Sequence, residues 1–80
     1  MNKERAELLR RFWTAMDVLI EEQKTTISKV VGNNISLAKQ KELNPTLDRM
    51  RLFAERLNLN FTEYLTKITN EMEKINDSKR

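Results

Sequence analysis

Histidine and cysteine are both absent from this chain of 80 residues. Their absence removes the commonest general base at neutral pH, imidazole and thiolate metal ligands, and any disulfide. The carboxylates that remain, Glu21-Glu22, Asp17 and Asp48, lack a shared partner or a loop that could form a cleft around them. They read as solubilising or dipole-matching charges, so no active site, cofactor or metal is implied. What remains is recognition chemistry. Residues 1–23 carry a net −1, residues 24–51 a net +4 and residues 52–80 a net 0, so the whole +3 excess lies in the middle third. A surplus confined to one segment points to an anionic partner for that segment.

The elements that must position this segment follow from apolar spacing and punctuation. Leu9, Phe12, Trp13, Met16, Leu19 and Ile20 recur at three- and four-residue steps and predict a helix from about Glu4 to Glu22. Thr25-Thr26 supply hydroxyl caps for a short second helix, Thr26 to Val31, with Ile27, Val30 and Val31 inward and Gly32, the one glycine, as a left-handed stop. Asn33-Asn34 then turn the chain and cap a third helix, about Asn34 to Lys41, whose inward positions are Ile35 or Leu37, Ala38 and Leu43. Asn44-Pro45-Thr46 ends that unit, and Thr46 caps a fourth helix with Leu47, Met50, Ala54 and Leu57 as its buried stripe. Asn60 with Glu63 forms a capping box for a fifth helix, about Phe61 to Asn76. Residues 77–80 read as a frayed tail.

The expected fold is therefore all-α, five helices in one domain spanning residues 1–80. At 39% apolar and 34% charged the chain has enough side chains for a modest core and should be soluble. Neither a signal peptide nor a membrane span fits the mixed-charge, amphipathic start, and a cytoplasmic setting is expected. Trp13 falls on the stripe of the first helix and, like Tyr64, is expected in the core and not as a base-stacking platform.

The stretch Thr26-Ile27-Ser28-Lys29-Val30-Val31-Gly32 resembles the first helix and turn of the Cro/CI-like (XRE) helix-turn-helix repressors of bacteria and phages. Asn44-Pro45-Thr46-Leu47-Asp48, followed by Leu52 to Leu59, resembles the helix that closes that domain, and the likeness covers roughly residues 8–68. It implies a helix-turn-helix at about residues 24–42, with small Ser28 letting its two helices cross closely, Gly32 permitting the turn, and Ile27 and Val31 anchoring it. It further implies double-stranded DNA as partner and transcriptional regulation as the task. The protruding third helix would offer Asn33, Asn34, Ser36, Lys39 and Gln40 to base edges in the major groove. Lys24, Thr25, Thr26, Lys29, Lys41 and Asn44 would hold phosphates, helped by first-turn N–H groups of the second helix. The stretch between Gly32 and Pro45 is a few residues shorter than such proteins usually have.

Phe61, Leu65, Ile68, Met72 and Ile75 step by four, three, four and three, a 3.5-residue seam that keeps one side towards a partner helix. A homodimer through Leu65, Ile68, Met72 and Ile75 is expected, the competing reading being that Met72 and Ile75 fold back on the first helix. The alternative function is a helical protein-interaction module that grips a partner helix in a groove. A membrane-surface role is disfavoured by the balanced polar face of the first helix.

Overall fold

Five helices follow one another in the computed structural model, which describes residues 3–78 and side chains through Ile75. They are α1 (Lys3–Glu22), α2 (Ile27–Val31), α3 (Ile35–Lys39), α4 (Leu47–Arg56) and α5 (Phe61–Ser78), with no strand among the described residues. All six apolar residues of the α1 stripe are buried, together with Ala15. The most extensive helix pair is α1 with α5, which contributes Tyr64 and Ile68. To the same core α4 adds Phe53 and Ala54, with Leu57 just after it, and α2 adds Val30 and Val31. A radius of gyration of 12.0 Å, against about 11.6 Å for a folded chain of this length, fits one contiguous core.

Trp13 stands at the centre. Its ring meets Phe12 edge-on at 5.1 Å and Phe53 at 5.9 Å between centroids, and its indole N–H donates to the Leu43 carbonyl at 2.7 Å. That bond ties the segment after α3 to α1, and it satisfies a donor that burial would otherwise leave unpaired. Tyr64, also fully buried, donates its hydroxyl to the Met16 Sδ at 3.2 Å, and burial pushes its phenol above the ordinary tyrosine range. Both rings are core, as expected, Trp13 from its place on the α1 stripe.

The starts of α2, α4 and α5 match their expected caps. Thr26 accepts from the Lys29 amide and Thr46 from the Arg49 amide, both from extended backbone. Asn60 and Glu63 exchange reciprocal side-chain bonds, completing the capping box. The ends are less expected. α1, α3 and α4 each finish in a Schellman turn in which Lys24, Lys41 and Asn58 take positive φ near 60°. In each, the following amide reaches back five residues: Thr25 to Ile20, Glu42 to Leu37, and Leu59 to Ala54.

Several expectations are corrected. Leu47 is 70% exposed instead of belonging to the α4 stripe, because that face centres on Phe53, Ala54 and Leu57 and Leu47 projects about 70° off it at 100° per residue. Asn34 occupies the N-cap of α3 in left-handed conformation and makes no side-chain bond there; an N-cap oxygen reaches the first-turn amides from extended backbone. Leu37 is exposed, so Ile35 and Ala38 are the inward residues of α3. Asp77 and Ser78 continue α5 where a frayed tail is expected, and Lys79 and Arg80 lie outside the described residues.

Candidate nucleic-acid interface

The polar middle segment is built on two helices of five residues each. A helix that short does not hold itself together, so its neighbours must fix it. Apolar anchoring comes from Val30 and Val31, fully buried, and from half-buried Ile27. α3 packs mainly on α2, burying Ala38 and half-burying Ile35, and leaves Ser36, Leu37 and Lys39 to solvent. Ala38, 1% exposed, sits in the core behind this pair, whereas Ser28 is exposed.

The turn between α2 and α3 is held by two arginines of α4. Arg56 donates from Nη1 to the Val30 carbonyl at 2.8 Å and to that of Val31 at 3.4 Å. Arg49 donates from Nη2 to the Asn33 carbonyl at 3.2 Å and, at 3.5 Å, to Val31. The last carbonyls of a helix lack partners inside it and carry partial negative charge, so guanidinium groups are well matched to them. Gly32 itself has φ +71° and ψ −105°, outside the left-handed helical well. A Cβ there would stand 3.6 Å from Arg56 Nη1, an ordinary contact, so the backbone angle and not lack of space requires glycine.

This arrangement leaves Asn33, Asn34, Ser36, Lys39 and Gln40 exposed on or beside α3. Among the cationic and hydroxyl candidates, Lys24, Thr26, Lys29 and Asn44 are exposed and Thr25 is half-buried. Lys41 is placed differently. Its ammonium donates to Thr14 Oγ1 at 3.0 Å and lies near Asp17, so it fastens the loop after α3 to α1. The Lys29 amide is already taken by Thr26, which reduces what the first turn of α2 could offer an anion. Residues 23–41 contain four lysines and no carboxylate.

Sequence reasoning missed Arg49 and Arg56 because it treated α4 only as a core helix. The signal was present: two arginines seven residues apart share one helix face, and they border a buried stripe that packs on α2.

The seam on α5 divides. Ile68 is 3% exposed and belongs to the chain's own core, so its expected place in a dimer contact is corrected. Leu65 and Met72 are half-buried against that core, and Ile75 is half-buried. Leu65, Met72 and Thr69 line an apolar groove of about 230 Å³ whose other walls are Leu8 and Phe12 of α1, Pro45, and Met50 of α4. Leu8 is 54% exposed at its edge.

Fold and site together define a small all-helical domain that presents a polar short helix on one side and an apolar groove between α1, α4 and α5. No helix among the described residues is long and apolar enough to cross a membrane. No protein family, curated protein or solved structure matches the chain.

Proposed function

We propose that this chain binds double-stranded DNA sequence-specifically as a Cro/CI-like helix-turn-helix regulator of transcription, a repressor working in the cytoplasm as a homodimer. The observation that carries the reading is α3: a short helix whose polar side chains are exposed, entered from a turn that Arg49 and Arg56 hold, in a segment free of carboxylates. Asn34 and Gln40 are the readers, since a side-chain amide can pair with adenine N6 and N7. Ser36, Asn33 and Lys39 complete the reading edge. Lys24, Thr25, Thr26, Lys29 and Asn44 hold phosphates, and Lys41 serves chiefly to fix the loop. The five-helix order and the α2–α3 turn support this reading.

Pairing two copies places two α3 helices in successive major grooves about 34–36 Å apart and multiplies the discrimination that one small domain can achieve. Leu65, Met72 and Ile75, with exposed Leu8, form the surface for the second copy. The groove also supports the second reading, a module that grips a partner helix.

Duplex binding measured across salt concentrations tests the reading. If a dimer neutralises about six phosphates, log affinity should fall against log salt with a slope near −5. Gln40→Ala or Asn34→Ala should cost about 1–3 kcal/mol on the preferred site and relax one base pair, whereas Lys29→Ala should weaken all sequences alike. A salt-independent interaction, or no enrichment from a random duplex pool at low salt, favours the partner-helix reading instead. Leu8→Glu should separate the copies and leave the monomer folded.

A further inference from the structure

One polar stripe of α1 faces the loop that follows α3. Lys3, Glu7, Arg10, Thr14 and Asp17 step by four, three, four and three and therefore share a face of the helix. At its C-terminal end the stripe is occupied by the loop, through the Lys41 bond to Thr14 beside Asp17. At its N-terminal end it opens into a cleft of about 490 Å³, with Lys3, Glu7 and Arg10 on the α1 side and Gln40, Lys41 and Glu42 on the other. The charges in the cleft are unequal. Glu7 is bound by Arg11 at 3.0 Å and the Lys41 ammonium by Thr14 beside Asp17, which leaves Glu42 to oppose Lys3 and Arg10. Lys3 and Arg10 are exposed, and neither forms a salt bridge among the described residues.

We infer that this cleft is a second phosphate site, in which Arg10 and Lys3 take the phosphodiester backbone where it leaves the end of α3. The inference rests on the DNA reading above and extends it to α1, which the helix-turn-helix leaves without a role at the duplex. Gln40 forms the junction: it ends the base-reading edge and lines the cleft. A backbone passing Gln40 meets Arg10, whose planar guanidinium binds phosphate in bidentate fashion, with Lys3 as a point charge about two turns away towards the start of α1. Glu42 limits the strength of the site by repulsion.

The probe is a mixed-sequence duplex of about two helical turns, roughly 21 base pairs, titrated with the full chain at several salt concentrations. Arg10→Gln should reduce the steepness of the salt slope by about 0.9 per phosphate lost, without altering base preference. Glu42→Gln should raise affinity. Lys67→Gln supplies the same charge change on α5, beside the C-terminal end of α1, and should do neither. Circular dichroism checks that each exposed substitution leaves the helices intact. The inference is overturned if the parent binds and Arg10→Gln leaves the slope unchanged, or if Arg10→Gln and Lys67→Gln behave alike, which reduces the effect to net charge. A parent that binds no duplex overturns the DNA reading itself, a result distinct from either of these.

Discussion

The pair α1–α5 and the pair α2–α3 are held by different forces. α1 and α5 are long helices that meet along a stripe of buried apolar side chains, with Trp13, Met16, Leu19, Tyr64 and Ile68 all nearly inaccessible to water. α2 and α3 bury only Val30, Val31 and Ala38, and are kept in place by a threonine cap, two guanidinium groups on helix-end carbonyls and a lysine fastened to α1. Apolar burial does not depend on direction and tolerates no polar surface. Hydrogen bonds from behind fix a short helix while leaving its outer face free for polar residues. The stable pair is the support, and the pair held by polar contacts is available for recognition.

The largest effect should follow from removing the core residue that also ties down the segment after α3. Trp13→Ala should cost about 3–5 kcal/mol, as large aromatic truncations do, and leave the Leu43 carbonyl without its donor. A domain of this size holds roughly 4–12 kcal/mol in all, so denaturant unfolding should shift to much lower concentrations, and both pairs should loosen together. Arg56→Ala should separate them. A loss of about 1–2 kcal/mol is expected, since a charged hydrogen bond at a partly exposed site is removed. Amide exchange should accelerate in α2 and α3 and stay slow in α1 and α5. Equal acceleration in all four helices would show that the two pairs are one cooperative unit and that their contrast has no dynamic meaning.

The same contrast explains what could be read in the sequence. The periodic apolar residues of α1 and the caps Thr26, Thr46 and Asn60 act locally, and each matches its expected place. Ile68 was misplaced because a 3.5-residue seam does not say which part of it a chain uses for its own core. Leu47 was misplaced because a stripe extrapolated into a first turn drifts off the buried face. The arginine brace was missed because Arg49 and Arg56 lie 16 to 26 residues from the carbonyls they meet, a pairing that no local pattern encodes. Asn33, Asn34, Ser36, Lys39 and Gln40 are exposed just beyond that braced turn, so the candidate reading edge was visible as residue types before its orientation was.

Two lysines mark the limits of the polar pair, Lys24 before α2 and Lys41 after α3, both at positive φ, where glycine is the favoured residue. Lys24→Gly should relieve the left-handed strain and stabilise the fold by about 0.5–1 kcal/mol. Duplex affinity should fall at the same time, because Lys24 is a proposed phosphate ligand. A rise in thermal midpoint with unchanged affinity would remove Lys24 from the interface and leave only its part in the turn.

The smallest effect is expected at Asp17, where the two pairs touch. Partial burial raises its carboxyl above the ordinary value of 3.8, and the nearby Lys41 ammonium only offsets part of that rise. A carboxyl that holds its proton more tightly when folded favours folding most below about pH 3.8, and that contribution is lost as pH rises through the raised value. At neutral pH the ionised Asp17 therefore weakens the fold slightly. Asp17→Asn should raise the thermal midpoint at about pH 7, change it least at about pH 3, and flatten the profile between them. The side chain is still solvent-exposed, so the gain is modest. If Asp17→Asn instead lowers the midpoint at neutral pH, the attraction between Asp17 and Lys41 outweighs desolvation, and the loop after α3 is held to α1 by an ion pair as well as by the bond to Thr14. In that case high salt should free Lys41, and the contrast between the two pairs would sharpen as ionic strength rises.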